Sequence, residues 1–433
     1  YPENPEAGID LFLEKLVQET EKEHEDILEQ ADETDAMFGE LYSWYLRNPE
    51  YRSRVQKLVQ SAFAGKPEDI ISQSVAKALY GEVSPYSATR LERFAACAFA
   101  HFLQYGMKLT ERVEYEFKPM DMGNVMHEAL ESFAEEVRKR GMKWTELTEQ
   151  ERNEIADRCL DNIVADYGNT VLKSSARNEY MIERTRRILR RTVWALQKQL
   201  EQGEFQPEGF EVTFGGGRID RVDIMEDQNK VYVKVIDYKT GNTSFDLVYL
   251  YHGLQLQLMI YLDGALRVEQ KKYPDKEIIP AGVFYYNIKD PMIQEKIDAD
   301  VEAVSAGLMK ELKMNGLVQA DPELVYRMDS SLGSIPVTFN KDGSFRKNSS
   351  VADRTQFAVL GRYVRTKIEK IRSSILEGDA EVSPYELGKK NACTYCPYMT
   401  VCGFDRRLSG YEFRRLKNFS DEELWKAFDR EAE

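Results

Sequence analysis

The sequence holds little that would take the chain out of water. No apolar run approaches the ~20 residues that a membrane-spanning helix needs. The first residues, "YPENPEAGID", contain neither the basic stretch nor the apolar core of an export signal. A cytoplasmic protein with no membrane partner is therefore expected, and the lack of an initiating Met marks the chain, as an expectation, as a piece of something longer. There is no Gly-x-x-x-x-Gly-Lys-Ser/Thr phosphate loop, so this chain is not expected to hydrolyse ATP by itself. Positive charge is also scarce: 59 Lys and Arg against 74 Asp and Glu leave a net −15. That argues against a general affinity for polyanions, although a local basic face can coexist with an acidic whole. The cysteines number five, an odd count, with three near the C-terminus. In a chain this long they do not read as a disulfide framework, and metal ligation suits them better.

At 433 residues the chain is long for one core, so two or three domains are expected. Residues 1–80 are acidic and helical in period ("GIDLFLEKLVQETEKEHEDILEQ", "AMFGELYSWYLRNPEYRSRVQKLVQSAF") and are expected to pack on a neighbour or on sequence outside the chain. "SPYSATRLERFAACAFAHFLQYGM" opens a new unit, with Ser84-Pro85 and Ser87 as helix caps. Helical periodicity then runs to about residue 203. From Phe210 the period switches to two, and "GRIDRVDIMEDQNKVYVKVIDYKTG" reads as a hairpin in which Gly217 to Met225 pairs with Lys230 to Tyr238. One helix is predicted over "LVYLYHGLQLQLMIYLDGALRV", a strand in "IIPAGVFYYNI" bounded by Pro280 and Asn287, and a helix over 296–316. A turn-rich insertion at "DSSLGSIPVTFNKDGSFRKNSS" and a final long helix from "DRTQFAVL" follow. The implied fold class is α/β, a mixed central sheet flanked by helices, with a helical N-terminal region. The basic stretch "RTRRILRRTVWALQK" (Arg184, Arg186, Arg187, Arg190, Arg191) is either a solvated helix surface or a face for nucleic acid.

The hairpin carries acids where a core strand would carry Val or Ile. Side chains at i and i+2 of a strand share a face, so Asp237 and Lys239 point the same way, and Asp220 comes from the other strand. Two carboxylates and an amine converging at one sheet end suit phosphodiester cleavage. There a hard divalent ion takes oxygen ligands while the lysine orients water or stabilises the transition state. The backbone carbonyl after Asp237 offers a third oxygen. His127, on a helix, is placed to complete the metal shell, and Gln257 and Tyr261, at i and i+4, face one side and either meet a DNA backbone or hold Lys239 in place. Asp223 points to the opposite face, where a surface or salt-bridge role is expected. Structural roles are expected for Asp246, Tyr249 and His252.

The set "GNVMHEALE", "GRIDRVD", "VIDYKTG" and "LQLMIYL" resembles the RecB-type nuclease domain of the PD-(D/E)xK superfamily, whose pattern is Gly-x-x-x-His, Gly-x-x-Asp, Asp-Tyr-Lys and Gln-x-x-x-Tyr in this order. The resemblance implies that His127, Asp220 and Asp237 are metal ligands, with Mg²⁺ the ion, that Lys239 is the catalytic lysine, and that Gln257 and Tyr261 form the last motif.

"NACTYCPYMTVCGF" places Cys393, Cys396 and Cys402 in Cys-x2-Cys-x5-Cys spacing. Four Cys ligands suit either zinc or an iron–sulfur cluster. A remote first cysteine, Cys97, with three C-terminal ones resembles the iron–sulfur staple of AddB-type subunits of bacterial AddAB helicase–nucleases, and that of CRISPR-associated RecB-type nucleases. It implies a [4Fe–4S] cluster on Cys97, Cys393, Cys396 and Cys402, acting structurally and tying the two ends of a unit over residues 81–415, with 416–433 as a helical tail. Cys159 is expected to be a buried free thiol. The AddB-type resemblance further implies an exonuclease that degrades one strand, the 5′-ended one, of DNA unwound by an AddA-like helicase–nuclease partner in double-strand break repair and recombination. A stand-alone iron–sulfur nuclease and a non-catalytic DNA-binding scaffold are the alternatives.

Overall fold

The computed structural model describes residues 33–62, 70–81, 87–110, 119–166, 175–215, 217–293, 300–408 and 410–432. The first predicted helix and the Ser84-Pro85 cap lie outside them. Among the described residues no helix is long and apolar enough to cross a membrane. The chain divides into two compact units, one of Glu82–Ala95, Thr110–Ser373 and Asn418–Glu433, the other of Tyr1–Gly81, Ala96–Leu109 and Ser374–Lys417.

The larger unit is built on a six-stranded mixed sheet whose strands lie in chain order, from Gln206–Phe214 at one edge to Val351–Ala352 at the other. The predicted hairpin is its centre. β2 (Gly217–Asp227) and β3 (Lys230–Lys239) pair antiparallel from Arg221 opposite Ile236 to Asp227 opposite Lys230. The two-residue turn Gln228-Asn229 closes the hairpin, with Gln228 at φ +42. β1 (Gln206–Phe214) joins β2 antiparallel, and β4 (Glu277–Asn287) lies parallel to β3 on the other side. Val231, Val233 and Val235 are fully buried, as β-branched residues of a central strand covered on both sides should be. Against the sheet pack α2 (Pro119–Lys139), on β1, and α3 (Gln257–Lys272), on β2, β3 and β4, while α1 (Ala88–Ala96) and α4 (Arg354–Glu377), the predicted final long helix, line one pocket together with α3.

Three expectations need correction. The single helix over 247–268 is two, Leu247–Tyr251 and α3. Gly253 sits between them at φ +78, and a Cβ there would stand 3.2 Å from the Ala95 side chain. The helix predicted over 296–316 is Val301–Glu311, and Asn315–Gln319 is instead strand β5, antiparallel to β4. β5 approaches β4 so closely that a Cβ on Gly316 would fall 1.9 Å from the Val283 carbonyl oxygen, so only glycine fits. Pro280, read as the boundary of its strand, lies inside β4. It coincides with a register shift between Val233 and Lys234, where its missing N–H interrupts the ladder.

Asp223 is a salt-bridge residue, as expected, but it is fully buried and not at the surface. Arg221 Nε and Nη2 donate to its two oxygens at 2.5 and 2.9 Å, and Lys234 Nζ stands 3.1 Å away. The strand is covered on this face too, and the rings of Trp144 and Phe210 lie 5.7 and 5.6 Å from the Arg221 guanidinium. Asp223 is held well below the usual carboxylate range because Arg221 and Lys234 outweigh the burial that opposes its charge. Cys159 is buried in the Glu149–Asp166 helix, as expected.

In the smaller unit, Gln73–Tyr80 is capped by Ser72, and Ile71 N–H donates to the Gly378 carbonyl at 2.9 Å. A three-stranded sheet joins Tyr385–Leu387 with Lys390–Asn391 and Arg414–Arg415. It frames the loop that carries three cysteines.

Candidate functional site

Strand register builds the site. The pairs Phe210 with Arg221 and Val212 with Ile219 set Glu211 opposite Asp220, and one further step of the β2–β3 ladder sets Asp220 opposite Asp237. Asp237 pairs with Tyr285 on β4. Three acids thus lie in one row across three strands. Cross-strand neighbours stand only ~4.5–5.5 Å apart at Cβ, so the row concentrates negative charge at one place.

His127 of α2 closes the row from the side. Its Nδ1 is 3.4 Å from Asp220 Oδ2 and 3.8 Å from Glu211 Oε1. One ligand atom each from His127, Glu211 and Asp220 fall within 4.8 Å of one another, a spacing that a single ion can span. Burial favours a neutral imidazole, but Asp220 and Glu211 outweigh it and lift His127 to about 10. Asp220 also accepts from the Tyr238 amide at 2.7 Å, which fixes the carboxylate against β3. Glu211 belongs to none of the sequence motifs. Its side chain is only 6% exposed and pairs with Arg218. Its backbone holds φ +49, a conformation costing about 1–3 kcal/mol in a non-glycine residue. Extending the hairpin register to the preceding strand is the signal that finds it.

Lys239 Nζ lies 2.6 Å from Asp237 Oδ2 and donates to Gln257 Oε1 at 2.7 Å, and Gln257 Nε2 donates to Tyr261 Oη at 2.9 Å. Of the two roles open for Gln257 and Tyr261, the geometry fits holding Lys239. Asp237 is about 1% exposed, and burial, followed by the charge of Asp220, pushes its carboxyl up to about 7 against the opposing pull of Lys239.

A raised carboxyl makes a stability prediction. The native state keeps on Asp237 a proton that the unfolded chain releases near pH 4, so stability falls as pH rises from about 4 through about 7. Asp237→Asn has no such loss. In chelator its melting temperature should exceed the wild type's at pH 8, with the gap closing towards pH 5. Melting curves over that range check it, and a gap independent of pH would contradict it.

The structure brings Cys97 to the three C-terminal cysteines. Cys97, Cys393, Cys396 and Cys402 line one small cavity walled by Phe99, Tyr398 and Phe404. Asn391 Oδ1 accepts from the amides of Cys393 and Thr394, both at 3.0 Å, and shapes the turn. The Phe404 amide donates to Cys402 Sγ at 3.5 Å. Burial first, then Cys97, Cys396 and Cys402, push the Cys393 thiol up to about 12. Four cysteines lining one small cavity fit a metal centre, whose positive charge would bring thiolates into being.

Other residues play the expected structural parts. Asp246 caps Leu247–Tyr251 through the Val248 amide at 2.7 Å, and His252 lies edge-on to Tyr251. The basic stretch is largely committed to acids. Arg186 pairs with Asp161 at 2.7 Å, Arg187 with Asp290 at 2.5 Å and Arg190 with Asp157. Those three guanidiniums belong to the helix surface.

A mixed sheet with acids and a lysine gathered at the end of its central hairpin, a histidine from one helix and Gln-x-x-x-Tyr from another, defines a domain of the metal-dependent nuclease class. Residues 85–403 match the PD-(D/E)XK nuclease superfamily, and the chain belongs to it. It is similar to an ATP-dependent helicase/deoxyribonuclease subunit of Lachnoclostridium phytofermentans, with 41% identity over 93% of this chain and 36% of that protein. It is likewise similar to the subunits of the same name from Thermoanaerobacter sp. (34% identity, 93% of this chain, 37% of that protein) and Clostridium acetobutylicum (33%, 92% and 36%). The chain spans about a third of the length of these relatives.

Proposed function

We propose that the chain is the Mg²⁺-dependent deoxyribonuclease part of a helicase–nuclease subunit of the AddB type. It would degrade one strand, the 5′-ended one by resemblance, of DNA unwound by an AddA-like partner in double-strand break repair and recombination. The row Glu211, Asp220, Asp237, closed by His127 and Lys239, is the observation that carries this reading. His127, Asp220, Asp237 and Glu211 would hold the ion, whose oxygen-rich surroundings suit Mg²⁺. When bound, it supplies activation of water and neutralisation of phosphate charge. Lys239 brings a positive group to the charge that develops on phosphate, and Asp237 and Gln257 keep that group aimed. Cys97, Cys393, Cys396 and Cys402 would carry a [4Fe–4S] cluster that closes a covalent loop. The names of the similar subunits support DNA as substrate, and a cytoplasmic setting follows from that role. The test is digestion of single-stranded DNA labelled at either end, with and without Mg²⁺. Mg²⁺-dependent release from the 5′ end is expected, and no cleavage with any divalent ion would leave the scaffold reading as the better one.

A further inference from the structure

α3 begins at Gln257, and its N-cap residue, Leu256, has no side chain able to accept a hydrogen bond. The first amides of a helix lack partners inside it, and an uncapped start frays at a cost of about 1 kcal/mol. Glu92 supplies the missing acceptor from another helix. Its Oε1, on α1, accepts from the amide of Leu256 at 2.7 Å and from that of Gln257 at 3.0 Å. An anionic side chain at a helix N-terminus also complements the macrodipole. Gln257 is therefore gripped twice: its backbone by Glu92, and its side chain between Lys239 at 2.7 Å and Tyr261 at 2.9 Å.

We infer that Glu92 is a positioning residue, which fixes the first turn of α3 so that the Gln257 side chain holds Lys239 beside Asp237. The inference rests on the nuclease reading only for its effect on rate. Glu92 belongs to none of the four motifs, and nothing in its own sequence neighbourhood marks it, because its partners lie more than 160 residues away. Its role depends on accepting two N–H groups with one oxygen, which a neutral amide does as well. Burial pushes its carboxyl up to about 7 against the amides and Lys239, so the carbonyl-like acceptor persists in either protonation state.

The test compares Glu92→Ala and Glu92→Gln in the 433-residue chain by two readouts. Competitive labelling of lysines with acetic anhydride, read by mass spectrometry, reports on Lys239 without any nuclease activity. Steady-state digestion of single-stranded DNA reports kcat and KM. In Glu92→Ala, Lys239 should label several-fold faster relative to the other lysines, and kcat should fall by about 10- to 100-fold with KM little changed, as displacement of a catalytic group does. Glu92→Gln should recover most of both. Should Glu92→Ala not fold, Glu92→Asp, which keeps the charge but withdraws the acceptor by one methylene, is read in the same way. Unchanged Lys239 labelling and kcat in Glu92→Ala would overturn the inference, as would a Glu92→Gln variant as impaired as Glu92→Ala. If the wild type cleaves no DNA, the proposed function falls while the labelling comparison still decides the role of Glu92.

Discussion

Lys239→Ala is expected to lower kcat on single-stranded DNA by about 10²- to 10³-fold, the scale of losing one preorganised electrostatic contact to a transition state. KM should move little, because the lysine sits within the site, between Asp237 and Gln257. The Tyr285 ring stands 5.5 Å from Lys239 Nζ, which leaves a narrow slot for that group. Lys239→Arg should therefore not restore the rate, since a planar guanidinium cannot occupy the place of a compact ammonium between these three neighbours. Circular dichroism should show both variants folded. A Lys239→Ala chain that digests DNA at the wild-type rate would remove the hairpin's chemistry from the account.

The second large effect concerns the cysteines. Cys393→Ser, prepared without oxygen, should lose together the iron and the visible absorbance of the proposed cluster. It should also melt at a lower temperature and become sensitive to proteases within the smaller unit. Cys97 and Cys402 are about 300 residues apart. A cross-link of that span restricts the unfolded chain by on the order of 5 kcal/mol in a chain-entropy treatment, and the metal–thiolate bonds add to it. Because the chain has two compact units, melting should be followed by more than one probe. Zinc in place of iron would keep the staple and change its chemistry. An unchanged melting curve with all metal gone would deny the cysteines a structural role.

What is legible in the sequence follows the range of the forces involved. The hairpin can be read because alternation and a turn are local, and its acids stand out as polar residues inside an apolar period. His127 and the Gln257–Tyr261 pair emerge from the order of four motifs, and the structure brings all of them to the sheet end. Glu211 and Glu92 escape such a reading, since their meaning lies in partners fixed by strand register or by another helix. β5 passes for helix because "NGLVQ" carries too few residues to show a period, and Gly316 declares itself only against β4. For Asp223 the sequence leaves a surface and a salt-bridge role open, because a charged side chain is usually exposed unless it is paired. The two cations that let it stay inside, Arg221 and Lys234, are paired with it across and along the strands.

The row of acids has a consequence for refolding. Sliding β2 against β3 by one residue would exchange the two faces of the strand, parting Asp220 from Asp237 and carrying Arg221 and Asp223 out of their shared pocket. A slipped sheet would hold nearly the same number of backbone bonds, so far-ultraviolet spectra would pass it as native. Binding of Mg²⁺ as proposed would discriminate, because only chains in true register would gain melting temperature from the ion. Ion-induced stabilisation would thus be a purity criterion for preparations recovered from denaturant, and it would need no substrate.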